Sequence, residues 1–530
     1  MMPYKTLLPL LPLAGFFLFH AAAEAADPAS VRFDVFEYVV EGNTVLPVNG
    51  IERAVYPYLG PQRSVADVHQ ARAALEKAYQ DAGYLSVSVE LPEQQVSEGA
   101  ITFKVVEGTV EALKVTGAQY HLPSRIREGV PSLAVGSVPH FSEVQAELGA
   151  LGSQADRRIT PLMRPGKAPG TLEVELAVED DLPLHGSIEL NDKESYNTDQ
   201  GRVEASLRYD NLFQRGHSVG LNWMYAPSNP DHANIWSANY VVPLAGGHQV
   251  YGFVTVSDSD TPADLGGATV VKGTSLGMRY RRALPARGGK FAHGLSVGVD
   301  YKDARDTVET KAGEFDRSLK YWTLAARYDH ARFDAEGRLT TTFDSDLVLG
   351  VRGLASREVD CDGVRMDQFA CKRHNASPGF LVWRIGTEHR EPMFDDWTLR
   401  IKVDAQLASG PLVSQEQFGA GGIDSVRGYY EFEQFGDHGA RATFELLTPP
   451  FARFGGLSAH ALGFFDRARL WVIDALPGET DRFNLGSYGL GLKLESKSLG
   501  ARVDWGMPVF DTGRTRRHDS RVHVSVKYQF

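Results

Sequence analysis

From residue 181 to the end of the chain, apolar and polar residues alternate in runs of about ten, with turns between the runs. The alternation is clearest in residues 295–301, 399–407, 488–494 and 522–530. Successive side chains of a strand point to opposite faces, so each run has one apolar face and one face with full charges. The pattern therefore predicts strands over the whole of this part.

Two features favour a transmembrane barrel over a soluble all-β domain, which also alternates. The runs are long enough to cross a bilayer at a tilt. Their connections also alternate in length, as do the short periplasmic turns and long extracellular loops of outer-membrane barrels. Short connections are residues 243–248, 331–337 and 391–395, and long ones are residues 191–200, 303–317, 352–378, 409–437 and 472–482.

Sixteen strands are expected between residues 184 and 530, which gives an antiparallel transmembrane β-barrel as the main fold. They begin near residues 184, 202, 217, 234, 248, 269, 291, 319, 338, 379, 397, 438, 456, 484, 498 and 521. By this count residues 409–437 form the sixth extracellular loop. Five of its glycines suit a tight hairpin that folds back into the lumen: Gly419, Gly421, Gly422, Gly428 and Gly436.

The chain before the barrel has a mixed α/β pattern. A strand over 33–40 precedes helices over 48–58 and from Ser64, where Asp67 completes a capping box. Strands over 85–91 and 100–107 end a β-α-α-β-β unit, residues 31–109. The second helix has one apolar stripe: Val68, Ala71, Leu75 and Tyr79.

A looser copy of this unit occupies residues 110–181. It has a strand over 111–116, helices over 123–129 and 141–151, and strands over 160–165 and 171–178. The two copies indicate a tandem binding or scaffolding module, and a single irregular α/β domain is the alternative.

The N-terminus predicts export. Lys5 precedes an apolar stretch over 7–19 and small residues over 21–26, which is typical of a secretory signal peptide over residues 1–26. An uncleaved anchor helix is the alternative. Because an exported compartment can be oxidising, Cys361 and Cys371 are a plausible disulfide pair, although free thiols are also compatible with the sequence.

Composition and motifs exclude several function classes. The net charge of −12 argues against a nucleic-acid partner. The chain lacks a phosphate-binding glycine loop and a His-Glu-x-x-His zinc motif, so no cofactor or metal is expected. The esterase-like pattern at residues 273–277 lies inside an alternating strand, where the required sharp turn is missing. The acidic loop residues Asp360, Asp362 and Asp367 are expected to be solvated. An enzyme is therefore not predicted.

Several segments resemble the TpsB outer-membrane transporters of two-partner secretion. Residues 40–46, 83–85, 91–94 and 106–108 resemble parts of their first POTRA domain, and residues 210–216 resemble their first periplasmic turn. The strongest match is the tetrad Val426, Arg427, Gly428 and Tyr429 in the sixth loop. The resemblance implies that both N-terminal units are POTRA domains.

The resemblance also implies a role for the tetrad. The loop would fold into the lumen, where its Arg would contact an Asp of a Phe-x-Asp-x-Gly pattern on the wall. Phe464 and Asp466 occupy that pattern on the thirteenth strand, with Ala468 in place of the glycine. An unpaired Arg inside a barrel is costly, whereas an Arg–carboxylate pair is directional. Arg427 could instead be a solvated loop residue or have another partner, and Asp466 could be an ordinary lumen carboxylate.

The family implies a protein of the Gram-negative outer membrane with POTRA domains in the periplasm. These domains would capture an unfolded secreted TpsA-like partner, such as an adhesin or haemolysin, for passage through the barrel. Tyr528 and Phe530 would form the C-terminal signal for the barrel-assembly machinery, and outer-membrane lipid would surround the barrel. An N-terminal plug helix is expected to be absent or truncated. A barrel-assembly insertase and a passive porin are the alternatives.

Overall fold

The computed structural model describes residues 32–530 except 97, 153–155, 260–262, 266–267, 271, 286–289, 311–312 and 362. The expected signal peptide and the segment relevant to a plug helix lie outside the described residues. The chain divides between Asp180 and Asp181 into two compact units. No helix in the described ranges is long and apolar enough to cross a membrane.

The first module contains two α-helices, a three-stranded sheet and a two-stranded sheet. The helices are Val48–Val55 and Val65–Asp81, and the strands are Arg32–Val35, Glu37–Glu41, Gly60–Ser64, Val87–Glu90 and Ala100–Glu107. The last strand is the centre of the sheet, parallel to Glu37–Glu41 and antiparallel to Val87–Glu90. The capping box at Ser64 and Asp67 is present. The stripe predicted on the second helix supplies its buried residues.

Two details of this module differ from the sequence expectation. The strand expected over 33–40 is interrupted at Phe36, whose amide donates to the carbonyl of Gly99. Gly60 and Pro61, expected to end regular structure, begin a strand that pairs with Arg32–Val35. This strand lies at the edge of a two-stranded sheet, where a proline removes no interior ladder bond.

The second module repeats the arrangement of the first. Its strands are Thr109–Thr116, Arg157–Pro165 and Thr171–Asp180, and its helices are Pro123–Glu128 and Phe141–Leu151. The last strand is again central, parallel to the first and antiparallel to the second. A separate apolar core forms between its sheet and helices around Ile126, Leu133 and Leu176.

The second unit is a closed antiparallel barrel, in which the last strand pairs with the first. Sixteen long strands, numbered below in this order, form the wall in the described part of the chain: Leu184–Asn191, Arg202–Leu212, His217–Tyr225, Asn234–Pro243, His248–Ser257, Gly273–Ala283, Phe291–Thr310, Gly313–Phe333, Leu339–Gly350, Leu381–Pro392, Thr398–Ala408, His438–Leu447, Leu457–Trp471, Arg482–Glu495, Leu499–Pro508 and Arg521–Gln529. A short strand, Ala452–Phe454, extends the hairpin before the thirteenth. The predicted mainly β fold with a sixteen-stranded barrel is confirmed.

The connections also contain short elements. The hairpins are Ala263–Leu265 with Ala268–Val270, Glu358–Cys361 with Val364–Asp367, and Phe418–Ala420 with Gln434–Gly436. Two short helices, Arg352–Ala355 and Gln368–Lys372, lie in the fifth long loop.

The prediction of a loop over residues 303–317 is wrong. The seventh and eighth strands continue through this segment and stay paired up to Thr310 and Gly313. The loss of apolar alternation marks where a strand leaves lipid, but the backbone ladder can continue in water. The change to polar residues therefore predicted where the strands leave the membrane, but it did not predict where the strands end.

Candidate functional site

Residues 409–437 connect the eleventh and twelfth barrel strands and fold against the inner wall. We call this segment loop 6. Its hairpin, Phe418–Ala420 with Gln434–Gly436, brings the tetrad to the wall, where Val426, Arg427 and Tyr429 are buried. The loop therefore forms a core of its own with Ala468, Leu470 and Leu485 of the wall.

Arg427 forms a bidentate pair with Asp466 of the thirteenth strand. Its Nε lies 2.7 Å from Oδ2 and its Nη2 lies 2.8 Å from Oδ1. The backbone amide of Arg427 donates to the same carboxylate at 3.1 Å. The guanidinium carbon also lies 3.4 Å from the centre of the Phe464 ring. Both residues of the Phe-x-Asp pattern thus contact the same arginine.

Two further wall carboxylates contact Arg427, and sequence reasoning did not find them. Its Nη1 lies 2.6 Å from Oε1 of Glu445 and 3.1 Å from Oδ2 of Asp504. Arg502 bridges these two carboxylates, and Arg400 contacts Glu445 at 2.7 Å. The buried charge of Arg427 is therefore compensated by a network and not by one partner alone.

Glycines on both sides of the contact allow the tetrad and the wall to approach closely. A Cβ on Gly428, which has φ +89°, would lie 3.0 Å from the carbonyl oxygen of Gly506. A Cβ on Gly489 would lie 2.4 Å from the Phe464 ring. The inward-facing glycines of the fourteenth strand could have predicted this contact from the sequence, because they mark where the inner wall has space for side chains of loop 6.

The other members of the tetrad also contact the wall. The Gly428 amide donates to Nε2 of His523 at 3.0 Å. The Tyr429 hydroxyl lies 3.1 Å from the carbonyl oxygen of Gly486 and 2.9 Å from that of Phe510, and its one hydrogen can be donated to either. Ala468, which replaces the expected glycine, is buried beneath Val426 and Tyr429. Its methyl group fills this core without displacing Asp466.

Glu416 attaches the base of loop 6 to the other side of the wall. This fully buried carboxylate accepts hydrogen bonds from Lys302 at 2.5 Å, Tyr321 at 2.7 Å and Arg384 at 3.1 Å. These residues lie on the seventh, eighth and tenth strands. The loop therefore contributes an anion to one part of the wall and a cation, Arg427, to another.

A third contact joins loop 6 to its neighbouring loops. Arg373, in the connection 351–380, forms a bidentate pair with the buried Asp437, with Nη2 and Oδ2 2.7 Å apart. The same carboxylate accepts from the amides of Leu412 at 2.9 Å and Ile473 at 2.7 Å. Asp437 thus ties together the fifth, sixth and seventh long connections.

Cys361 and Cys371 are joined in a disulfide two residues before Arg373. The adjoining helix Gln368–Lys372 carries Phe369, whose buried ring lies 5.2 Å from that of Tyr321 on the inner wall. The disulfide therefore braces a loop that packs into the extracellular half of the barrel.

The inner wall of the first six strands has a different character. One small, uncharged polar residue from each strand aligns in register to form a row that we call the polar row: Ser187, Ser206, Asn222, Ser237, Thr255 and Ser275. All six are partly exposed. Ser275 is the serine of the esterase-like pattern and lies inside the sixth strand, so it is a wall residue.

The remaining predicted site residues lie on the last strand. Phe530 pairs through its backbone with Gly186 of the first strand, at 3.0 Å in both directions. Tyr528 and Phe530 are about half exposed on the outer face. Of the acidic loop, Asp362 lies outside the described residues, and the described part of the chain contains no cluster suited to a metal ion.

Comparison with known proteins identifies the family of the chain. A model of ShlB-type POTRA domains matches residues 33–108, and a model of the haemolysin secretion/activation protein ShlB/FhaC/HecB matches residues 170–494. The outer membrane transporter CdiB of Escherichia coli O6:K15:H31 (strain 536 / UPEC) is 22% identical over 436 residues, which cover 78% of this chain and 68% of the relative. The heme/hemopexin transporter protein HuxB of Haemophilus influenzae is 21% identical over 493 residues, which cover 89% and 81%.

The fold is shared with solved structures. CdiB from Escherichia coli aligns with a TM-score of 0.64 at 19% identity, covering 97% of this chain and 93% of that one. BamA from Haemophilus ducreyi lacking POTRA domains 1–3 aligns with a TM-score of 0.55 at 13% identity, covering 94% and 100%. At such identities these matches establish the fold alone.

A ShlB-type POTRA domain followed by a closed barrel that matches the ShlB/FhaC/HecB family model defines an outer-membrane transporter. The chain belongs to the haemolysin secretion/activation protein family ShlB/FhaC/HecB, whose model covers more than half of it. It is a transporter and not an enzyme, and its POTRA domains lie in the periplasm.

Proposed function

We propose that this protein exports a secreted partner protein, which its periplasmic modules capture unfolded and its barrel passes to the cell surface. The observation that carries the proposal is the polar row. Small hydroxyl and amide groups can exchange hydrogen bonds with a passing backbone, and they carry no charge that would retain a particular side chain. The row crosses six adjacent strands in register.

The inner wall of the seventh to fifteenth strands has another role in this proposal. Loop 6 occupies it through Arg427 and Glu416, whose partners lie on different strands. These contacts fix the loop beside the polar row and limit the width of the resting lumen. Arg427 and Asp466 thus anchor the loop in its working position.

The modules offer edges for capture. In the second module, Arg157–Pro165 is an edge strand with the exposed apolar residues Leu162 and Met163. An extended segment can add to such an edge as a further strand. Pro161 and Pro165 lack amide hydrogens, so they restrict pairing there to the remaining positions. The names of CdiB and HuxB, both transporters, agree with an export function.

Deletion of the gene tests the proposal. We expect a large exported protein encoded beside it to disappear from the medium and to be degraded or retained in the periplasm, while other outer-membrane barrels keep their abundance. A general loss of barrels would favour an insertase instead. Unchanged secretion of the neighbouring protein, with reduced uptake of small solutes, would favour a porin.

A further inference from the structure

A group of basic residues lies at the end of the barrel where the connections are short, and its members within strands face outward. We call it the basic belt, and it comprises His248, Arg282, Lys290, His293, His330 and Arg332. Its members lie on the fifth to eighth strands or directly before the seventh. Register places His248 opposite Arg282, and His293 opposite His330.

The belt residues within strands share the outer face with lipid-facing side chains, and Lys290 is an exposed residue directly before the seventh strand. His293 lies two residues from Leu295, and Arg282 lies four from Met278, both of which are exposed. His330 lies on the same face of the eighth strand as the exposed Leu324, because an even number of residues separates them. Because alternate residues of a strand point the same way, the belt continues the apolar band of the barrel at its periplasmic rim.

Aromatic contacts fix the imidazoles at this rim. The His248 ring stacks on Tyr280, whose hydroxyl lies 2.5 Å from Nδ1. The His330 ring stacks on Phe291, with ring centres 5.6 Å apart. Since Nδ1 of His248 already has a partner, its Nε2 is the ring nitrogen available to another group.

The cations of the belt are not neutralised within the protein. Arg282, Lys290 and Arg332 are exposed, and none has an ion-pair partner among the described residues. The nearby acids are otherwise engaged. Asp329 faces inward and pairs with Arg281, and Asp334 and Glu336 of the next turn pair with Arg338. The belt therefore presents net positive charge beside an apolar surface.

In the other half of the rim, the outward residues at four strand ends are not basic. At the corresponding ends of the eleventh, twelfth, fifteenth and sixteenth strands the outward residues are Leu399, Leu446, Leu499 and Tyr528. We propose that the basic belt binds the headgroups of anionic phospholipids in the periplasmic leaflet of the membrane. A lipid fits because one molecule supplies both a phosphate for the cations and acyl chains for the adjoining apolar band.

The test uses the full-length protein in phosphatidylcholine vesicles with a minority of phosphatidylglycerol. Spin-labelled versions of the two lipids report how strongly each associates with the barrel surface. Each cation near a membrane surface strengthens association with anionic lipid roughly fivefold. We expect wild type to prefer phosphatidylglycerol, and the variant R282Q/R332Q to lose most of this preference.

A matched control removes cations from the other half of the same rim, in R453Q/K497Q, and should retain the wild-type preference. Heat-modifiable migration on gels establishes that each variant has a folded barrel. Raising the salt concentration provides a second measurement on the unaltered protein and should abolish the preference. The proposal is overturned if wild type shows no salt-sensitive preference, or if the belt and control variants lose it equally.

Discussion

Arg427 and Asp466 face each other across the boundary between loop 6 and the thirteenth strand, joined by two side-chain hydrogen bonds and one from the backbone. The arginine is almost completely buried and the aspartate completely so. Neither charge has water as an alternative partner. The position of the loop therefore depends on this pair and on the two further carboxylates around it.

Replacement of Arg427 by Ala should strongly reduce secretion of the partner protein. It leaves Asp466 buried without its cation, a change that typically costs about 3–5 kcal/mol. Secretion and barrel abundance are measured together, so a loss of export is separated from a loss of protein. Arg327→Ala is the matched control, because this inward arginine contacts Asp346 at 3.4 Å and no residue of loop 6 in the described part of the chain.

The charge-swapped variant R427D/D466R should not restore secretion. A carboxylate at position 427 would face Glu445 and Asp504, so the swap rebuilds one contact and creates repulsion with two others. Normal export by R427A, or full rescue by the swap, would contradict the network.

Replacement of Glu416 by Gln should loosen the base of loop 6 while leaving the tetrad in place. The amide keeps the size of the side chain but removes the charge that compensates Lys302 and Arg384. We expect longer and more frequent conducting states in planar bilayers. Conductance identical to wild type would mean that this contact does not restrain the loop.

Loss of the disulfide should free the segment that carries Arg373. The double variant C361S/C371S keeps the Arg373–Asp437 pair but removes the covalent brace beside it. External protease should then cut the connection 351–380 faster in intact cells. The variant Arg373→Gln should also speed cleavage, because it removes the ion pair with Asp437. Unchanged cleavage in both variants would exclude a restraining role for the disulfide and for the ion pair.

The second module should lose stability in acid through Asp180. Burial acts to raise the pKa of this carboxyl, but hydrogen bonds from the amides of Gln119, Tyr120 and His121 outweigh it and hold the pKa below the usual value. A lowered folded pKa gives stabilisation that is present above the unfolded pKa and is lost as the pH falls through the folded value.

Hydrogen exchange of residues 119–121 in the whole protein measures this effect. Protection should fall as the pH drops below the ordinary range of an aspartate. Asp180→Asn should reduce protection at neutral pH and flatten its dependence on pH. Equal pH profiles for the two proteins would exclude Asp180 as the cause.

The sequence predicted the secondary structure best where one face of an element is apolar and the other faces water, because the residues then follow a regular period. Lipid on one face and water on the other imposed an alternation from which sixteen strands were counted, and the helical stripe from Val68 to Tyr79 followed from burial of one helix face. The extended seventh and eighth strands were missed because no lipid lies beside residues 303–317 to impose a pattern.

The site was only partly predictable for a related reason. Arg427 and Asp466 were identified through motifs, but Glu445 and Asp504 look like any inward-facing wall residues. Glu416 and Arg373 have no local pattern at all, because their partners are distant in sequence and are brought together by closure of the barrel.

The path of the partner through the barrel is tested most directly by site-specific photocrosslinking during export. A photoreactive residue replaces either Thr255, which belongs to the polar row, or the adjacent Val254, which faces lipid. The account predicts crosslinks to the exported protein from position 255 and none from position 254. Crosslinks from position 254 alone, or none from position 255 while export continues, would contradict passage along the polar row.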